Sequence, residues 1–195
     1  IIKDDGTRAV SETTKNLGKV APDWTMGISN TLRYRNLSLS FLIDVRYGGV
    51  MYSGTVSDLR VNGMAEETIG KNRTDIVDKG VKQDGTENTT AITPYQFWSN
   101  NYSSKVSEAN VFDATFVKLR EMVLSYQMPQ RWFKNCFIGS LALGVEGRNL
   151  WLMKSNVPHI DPETNIFGPS AVGSGVEYSA IPTTRSWGFN IKLTF

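Results

Sequence analysis

Few residues in this chain could do chemistry. One histidine, His159, and one cysteine, Cys136, serve 195 residues. Disulfide frameworks need cysteine pairs and most structural zinc sites need several Cys or His ligands, so a metal site could only be built from carboxylates. The candidates are Asp161 and Glu163 in His159-Ile160-Asp161-Pro162-Glu163. Two carboxylates beside a turn could bind calcium or a substrate hydroxyl. A turn capped by Asp161 ahead of Pro162 needs no ligand and is the favoured reading. The second candidate is aromatic: Tyr95, Phe97, Trp98 and Tyr102 fall close together. Such rings stack on sugar faces and anchor interfaces, or else pack a loop onto itself. No Gly-x-Ser-x-Gly elbow and no phosphate loop occurs, and no carboxylate pair stands out as a hydrolase dyad. The expectation is therefore no enzyme, no cofactor and no resident metal.

Charge narrows the partners. Twenty-one Lys and Arg against 19 Asp and Glu leave a net charge of +2, with no run of like charges. Nucleic acid is not expected as a partner. No stretch approaches the roughly 18 apolar residues of a membrane-spanning helix. Ile1-Ile2-Lys3-Asp4-Asp5-Gly6 has neither the basic start nor the apolar run of a secretion signal, and the sequence reads as part of something larger. Asn-x-Ser/Thr triplets at Asn36, Asn72, Asn88 and Asn101 are expected by chance in a chain this rich in those residues.

The elements that must position these groups are strands. Leu37, Leu39, Phe41, Ile43 and Val45 alternate with Ser38, Ser40, Leu42, Asp44 and Arg46, a period of two with one apolar face. Trp24 to Tyr34 is a weaker strand joined to it through Arg35-Asn36, short enough for a hairpin. From Ala114 to Tyr126 the alternation changes phase at Arg120-Glu121, which predicts a bulge. A fourth strand runs from Leu141 to Trp151. The last places Trp187, Phe189, Ile191, Leu193 and Phe195 on one face, opposite Ser186, Gly188, Asn190, Lys192 and Thr194.

Alternation of this kind fits a soluble β-sandwich, a secreted binding or adhesin module, as well as a membrane barrel. The connections favour the barrel, because short ones (35–36, 127–137) alternate with long ones (50–113, 154–183). Outer-membrane barrels have short periplasmic turns and long outer loops. The fold class expected is thus all-β: about five C-terminal strands of a large antiparallel transmembrane barrel, too few to close it. Residues 1–22 read as an extracellular loop remnant and 23–195 as barrel strands with outer loops at 50–113 and 154–183. A short helix near Ser57 to Met64, with Ser57 as N-cap, is predicted in the first loop. Leu37, Leu39, Phe41, Ile43, Val45, Trp187, Phe189, Ile191 and Leu193 are the expected lipid-facing residues. Asp44, Arg46, Glu146 and Lys192 would face the lumen.

Six stretches carry a resemblance. Ala21-Pro22-Asp23-Trp24-Thr25-Met26-Gly27-Ile28, Tyr34-Arg35-Asn36-Leu37-Ser38-Leu39-Ser40-Phe41 and Asp113-Ala114-Thr115-Phe116-Val117-Lys118-Leu119-Arg120-Glu121 come first. Leu124-Ser125-Tyr126-Gln127-Met128-Pro129, Gly147-Arg148-Asn149-Leu150-Trp151 and Pro182-Thr183-Thr184-Arg185-Ser186-Trp187-Gly188-Phe189 follow. In this order they resemble the C-terminal region of SusC/RagA-type TonB-dependent outer-membrane transporters, over residues 20 to 195. The resemblance implies a barrel of about 22 strands with an N-terminal plug, located in the bacterial outer membrane. It implies a SusD-like surface lipoprotein as partner, outer-membrane lipid around the wall, and TonB, reached through an N-terminal part not in this sequence, energising uptake of glycan or peptide oligomers. Phe195 resembles the terminal signal read by the barrel-assembly machinery.

Overall fold

The computed structural model describes residues 1–70, 74–134, 137–166 and 174–195. In chain order, strands β1 (Trp24–Tyr34), β2 (Leu37–Tyr47) and β3 (Val50–Ser53) lead into helix α1 (Gly54–Val61). Short strands β4 (Ile76–Val77) and β5 (Ala91–Ile92) precede helix α2 (Pro94–Tyr102). Strands β6 (Val111–Asp113), β7 (Phe116–Gln127), β8 (Ser140–Ser155), β9 (Val176–Glu177) and β10 (Ser186–Thr194) follow. The chain divides into two compact units: a sheet unit of residues 22–48, 114–156 and 182–195, and a loop unit of residues 1–21, 49–113 and 157–181.

The sheet unit is one five-stranded sheet in the order β1-β2-β7-β8-β10. Every neighbouring pair is antiparallel, so the sheet is a meander with open edges at β1 and β10. All five strands read from the alternation are present, in sequence order. The hairpin between β1 and β2 turns through Arg35, which takes a left-handed φ of 54°. Asn36 then ties this turn to the end of β7: its side-chain amide donates to the Gln127 carbonyl at 2.6 Å, and the Gln127 backbone N–H donates to the Asn36 carbonyl at 2.8 Å.

The predicted bulge is there too. Leu42 faces Glu121 but Ile43 faces Leu119, so Arg120 is the extra residue on β7. On the other side Leu119 faces Trp151 and Glu121 faces Arg148. Strand β8 therefore carries extra residues at the same level, with Asn149 at a left-handed φ of 51°. Bulges that coincide across neighbouring strands bend the sheet locally and re-aim side chains on one face.

The loop unit shows that the segments expected as loops are partly folded. It holds a three-stranded sheet β6-β3-β9 and the pair β4-β5. Helix α1 begins earlier than predicted: Ser53, not Ser57, is its N-cap, accepting from the Val56 N–H at 3.1 Å. Ser57 is instead buried and donates to the Tyr102 carbonyl at 2.9 Å. Helix α2 starts with a capping box in which Thr93 and Gln96 satisfy each other's backbone N–H groups, ahead of Pro94. The apolar core is small, formed by Ile2, Met51, Val56, Ile92, Trp98 and Val157. Around it Ser53, Thr68, Asn101, Asn110 and Glu177 are fully buried polar residues.

A turn is used twice in this unit. Lys3-Asp4-Asp5-Gly6-Thr7 and Lys82-Gln83-Asp84-Gly85-Thr86 make the same contacts, Asp5 and Asp84 each accepting from the N–H and hydroxyl of the threonine two residues on. Gly6 and Gly85 supply φ values of 82° and 84°, open to glycine at no steric cost. The segments bearing the two turns run side by side, Ile2 bridging Lys82 in parallel.

Candidate functional site

The sheet has two chemically opposite faces. Laterally paired residues share a face, so the register lays out each row. Leu32, Leu39, Leu124, Val145 and Phe189 form one row; Leu37, Tyr126, Leu143 and Ile191 form the next. Val45, Ile43 and Phe41 extend the same face toward the other end, opposite Met26, Ile28 and Asn30. Trp187 and Leu193 continue it on β10. This face is open: Phe189 is 84% exposed, Ile191 68% and Trp187 63%. Residues on central strands, such as Phe41 and Ile43, are half-buried by their lateral neighbours. Soluble monomers rarely expose contiguous apolar patches beyond a few hundred Å².

The opposite face is polar. At the bulge, Arg120 donates to Asp44 on β2 at 2.5 Å and to the Asn149 side-chain carbonyl on β8 at 3.0 Å. Asn149 in turn donates to the Thr184 carbonyl at 3.0 Å, ahead of β10. Beside them Lys118, buried, donates to the Thr183 hydroxyl at 3.2 Å. The bulge thus lets one guanidinium link two neighbouring strands, and through Asn149 the chain entering β10. Of the four lumen candidates, Asp44 belongs to this network. The alternation predicted the bulge, but nothing local in the sequence pointed to its partners.

The aromatic candidates divide. Phe97, Trp98 and Tyr102 form a cluster on α2, with ring centroids 4.9 to 5.9 Å apart. Trp98 is 4% exposed, so it packs the unit and offers no platform; the reason is that Trp98 and Tyr102, four apart, fall on the helix face turned inward. Tyr95, 68% exposed, presents its ring. Asp161 makes a turn: its side chain accepts from the Glu163 N–H at 3.2 Å and its carbonyl from the Thr164 hydroxyl at 2.7 Å. Among the described residues no cluster of three His, Cys, Asp or Glu could hold a metal ion. The amides of Asn36, Asn88 and Asn101 are all engaged in hydrogen bonds within the chain. Asn72 and Cys136 lie outside the described residues.

Sequence reasoning missed the loop unit's charged hub. Arg60 donates to Glu67 at 2.6 Å and to the Ala109 carbonyl at 2.7 Å, while its guanidinium lies over the rings of Tyr102 and Phe112. The other Glu67 oxygen lies 2.7 Å from the His159 ring Nε2. Burial pushes the Glu67 carboxyl up, but hydrogen bonds from Arg60, the backbone and His159 outweigh it and hold it down at about 2. His159, in a left-handed conformation with φ of 64°, is thus a clasp to residue 67 and shows no catalytic arrangement. Glu177 is a second hub, its carboxylate accepting from Ser53 at 2.5 Å and Thr55 at 2.6 Å.

No family model matches the chain. Two TonB-dependent receptors of Formosa agariphila are similar in sequence: receptor P3 is 25% identical over 98% of this chain and 18% of its own length. Receptor P26 is 26% identical over 92% of this chain and 18% of its own length. The chain therefore spans about a fifth of these relatives. Among solved structures, the RagAB peptide importer in its closed-closed state superposes with a TM-score of 0.64 at 20% identity, covering 93% of this chain and 18% of that one. The open-open state gives 0.60 at 21%, over 90% and 17%. Among the described residues no helix is long and apolar enough to cross a membrane, which leaves crossing by strands untouched. In sequence the chain is similar to TonB-dependent receptors, and its fold is that of an open piece of the barrel wall found in RagAB.

Proposed function

We propose that this chain is part of the wall of a TonB-dependent outer-membrane transporter importing glycan or peptide oligomers, with a SusD-like surface lipoprotein as partner. The observation that carries the reading is the five-stranded meander with its apolar face outward and its charges linked on the other. In a β-sandwich the same face would be core. Lipid is the solvent that suits it: transmembrane strands put apolar residues toward lipid and polar ones toward the lumen. Trp24 stacks on Tyr47 at 5.1 Å at one end of the β1-β2 pair, and Tyr34 stands at the other. Ten residues at about 3.3 Å each, tilted about 45°, give roughly 23 Å, close to the apolar band of such barrels.

The open edges at β1 and β10 are unpaired backbone that further strands of a barrel would cover. Phe195 stacks on Phe137 at 5.7 Å at the short-turn end of the sheet. The similarity to receptors and to a peptide importer supports uptake driven through TonB by parts of the protein outside this chain. Folded outer loops on the side of the long connections give the lipoprotein a surface. No catalytic role is assigned.

The test pairs two adjacent residues in the full-length protein. Phe41→Lys puts a charge on the apolar face near mid-strand and should cost about 2 to 4 kcal/mol, removing the heat-modifiable folded band from outer-membrane fractions. Ser40→Asp, on the polar face, should leave that band intact. Equal loss in both variants, or loss in Ser40→Asp alone, would sink the assigned wall.

A further inference from the structure

Residues 175–180 sit on the rest of the loop unit as an extended peptide sits on a receptor. Strand β9 adds to β3 in parallel over two residues only, Tyr52 facing Val176 and Ser53 facing Glu177. The Tyr52 N–H donates to the Gly175 carbonyl at 2.8 Å. Just beyond, the Glu177 carboxylate lies at the N-terminus of α1, where the Ser53 and Thr55 hydroxyls donate to its two oxygens and the Ala180 N–H closes on it at 3.2 Å. The Thr55 hydroxyl oxygen accepts in turn from the Ser179 N–H at 2.7 Å. Tyr178 covers Gly54, where a Cβ would collide with its ring, and its hydroxyl donates to Asp58 at 2.9 Å. Glu177 is 1% exposed, and among the described residues no cation pairs with it. Two hydroxyls and the positive end of an eight-residue helix take the place of one.

We propose that the corner between β3 and α1 is a docking site for an extended peptide carrying a glutamate followed by a tyrosine, and that residues 175–180 are a strap that occupies it in cis. Main-chain pairing along a strand edge gives such a site its hold, and pockets for single side chains give it specificity. Here the acid and the ring supply the specificity. The site is built by this chain alone: Ser53, Val56 and Ser57 are enclosed by its own packing. The strap is detachable because little apolar surface and only two paired residues fix it, while Gly175 and Ser179 hold left-handed φ values of 89° and 49°. The second is strained for a residue with a side chain. Docking also orders α1, because the Ser53 hydroxyl that donates to Glu177 is the cap that accepts from the Val56 N–H. The proposal concerns the loop unit and does not depend on which face of the sheet meets lipid.

The experiment follows hydrogen exchange at Tyr52, Val56, Ser179 and Ala180 in the full-length protein in detergent. The probe is a synthetic peptide with the sequence of residues 174–181, Ser-Gly-Val-Glu-Tyr-Ser-Ala-Ile. In the native protein the four amides should share one opening equilibrium, as a strap that leaves as a unit requires. Gly54→Ala blocks the Tyr178 ring while favouring helix, and should speed exchange at Ser179 and Ala180 about tenfold. In Glu177→Ala/Tyr178→Ala the strap has lost both anchors. There the peptide, at about 5 mM to match the effective concentration of a short tether, should restore slow exchange at Tyr52 and Val56. A peptide bearing Glu177→Ala should not restore it, and adding Thr55→Val to the protein should weaken the rescue about tenfold, whereas Thr55→Ser should keep it within about threefold. Separate opening equilibria in the native protein, unchanged exchange in Gly54→Ala, no rescue by the peptide, or equal rescue by the peptide without its acid would each overturn the proposal. The first two readings need no variant of the strap, so they decide the matter even if the double variant fails to fold.

Discussion

The two units of this chain solve the problem of burial in opposite ways. The sheet unit turns its apolar residues outward, with Phe189 and Ile191 almost bare, and links charges such as Asp44 and Arg120 on its other face. The loop unit buries polar groups: Glu177, Asn101, Asn110, Thr68 and Ser53 are among its most deeply enclosed side chains. On the proposed wall reading the sheet needs no apolar core, because the membrane would supply one. A folded loop with little apolar sequence to bury must be held by polar contacts, each sensitive to the loss of one partner. The first design is robust to substitutions that keep polarity. The second is brittle at a few hubs.

That contrast is broken most strongly at Glu177. Replacing it with alanine leaves the Ser53 and Thr55 hydroxyls and the Ala180 N–H without their acceptor. Donors stranded in a buried site cost about 3 kcal/mol together, or roughly a hundredfold faster local opening. Hydrogen exchange over residues 53–61 should show this while the folded band of the barrel persists. Loss of the barrel band with no change in exchange would mean that the hub does not hold the loop unit.

On the sheet, Arg120→Ala should have a smaller effect. It leaves Asp44 without its 2.5 Å partner and Asn149 without a donor, but both lie in a part-buried network that water can enter. The expected loss is about 1 to 2 kcal/mol, read as a lower urea midpoint for unfolding in lipid or detergent. Asp44→Asn/Arg120→Gln, which keeps hydrogen bonding without charge, should recover part of it. A full loss in the double variant would show that charge alone matters there.

The sheet was legible because its signal is local. A period of two from Leu37 to Arg46 needs only neighbouring residues to be read, and the slip at Arg120-Glu121 announces a bulge in the strand that carries it. The partners of that bulge, Asp44 and Asn149, lie 76 and 29 residues away and leave no local trace. The loop unit was not legible for the same reason: Glu177 meets Ser53 across 124 residues and Arg8 meets Asp78 across 70. The repeated Lys-x-Asp-Gly-Thr turn was a signal in plain sight that a search for internal repeats finds. Ser57 drew the helix start wrongly because a serine before an apolar run suits both a cap and a buried donor; only Ser53 has the backbone N–H of Val56 in reach.

The finest distinction between the units is their response to acid. Glu67 is held at about 2, below the usual value of 4.5, and about 30% of its side chain is exposed. A depressed carboxyl stabilises the folded state above its unfolded value, and that contribution is lost as pH falls through the folded one. The loss therefore runs from about pH 4.5 down to about 2. Discounted for solvent screening, it amounts to on the order of 1 to 2 kcal/mol. Exchange in residues 57–67 should accelerate by about tenfold across this window, beyond its intrinsic pH dependence, with the acceleration absent in Glu67→Gln. An equal acceleration in Glu67→Gln would assign the acid response to another carboxylate and leave the Arg60, Glu67 and His159 contacts as geometry without a pH role.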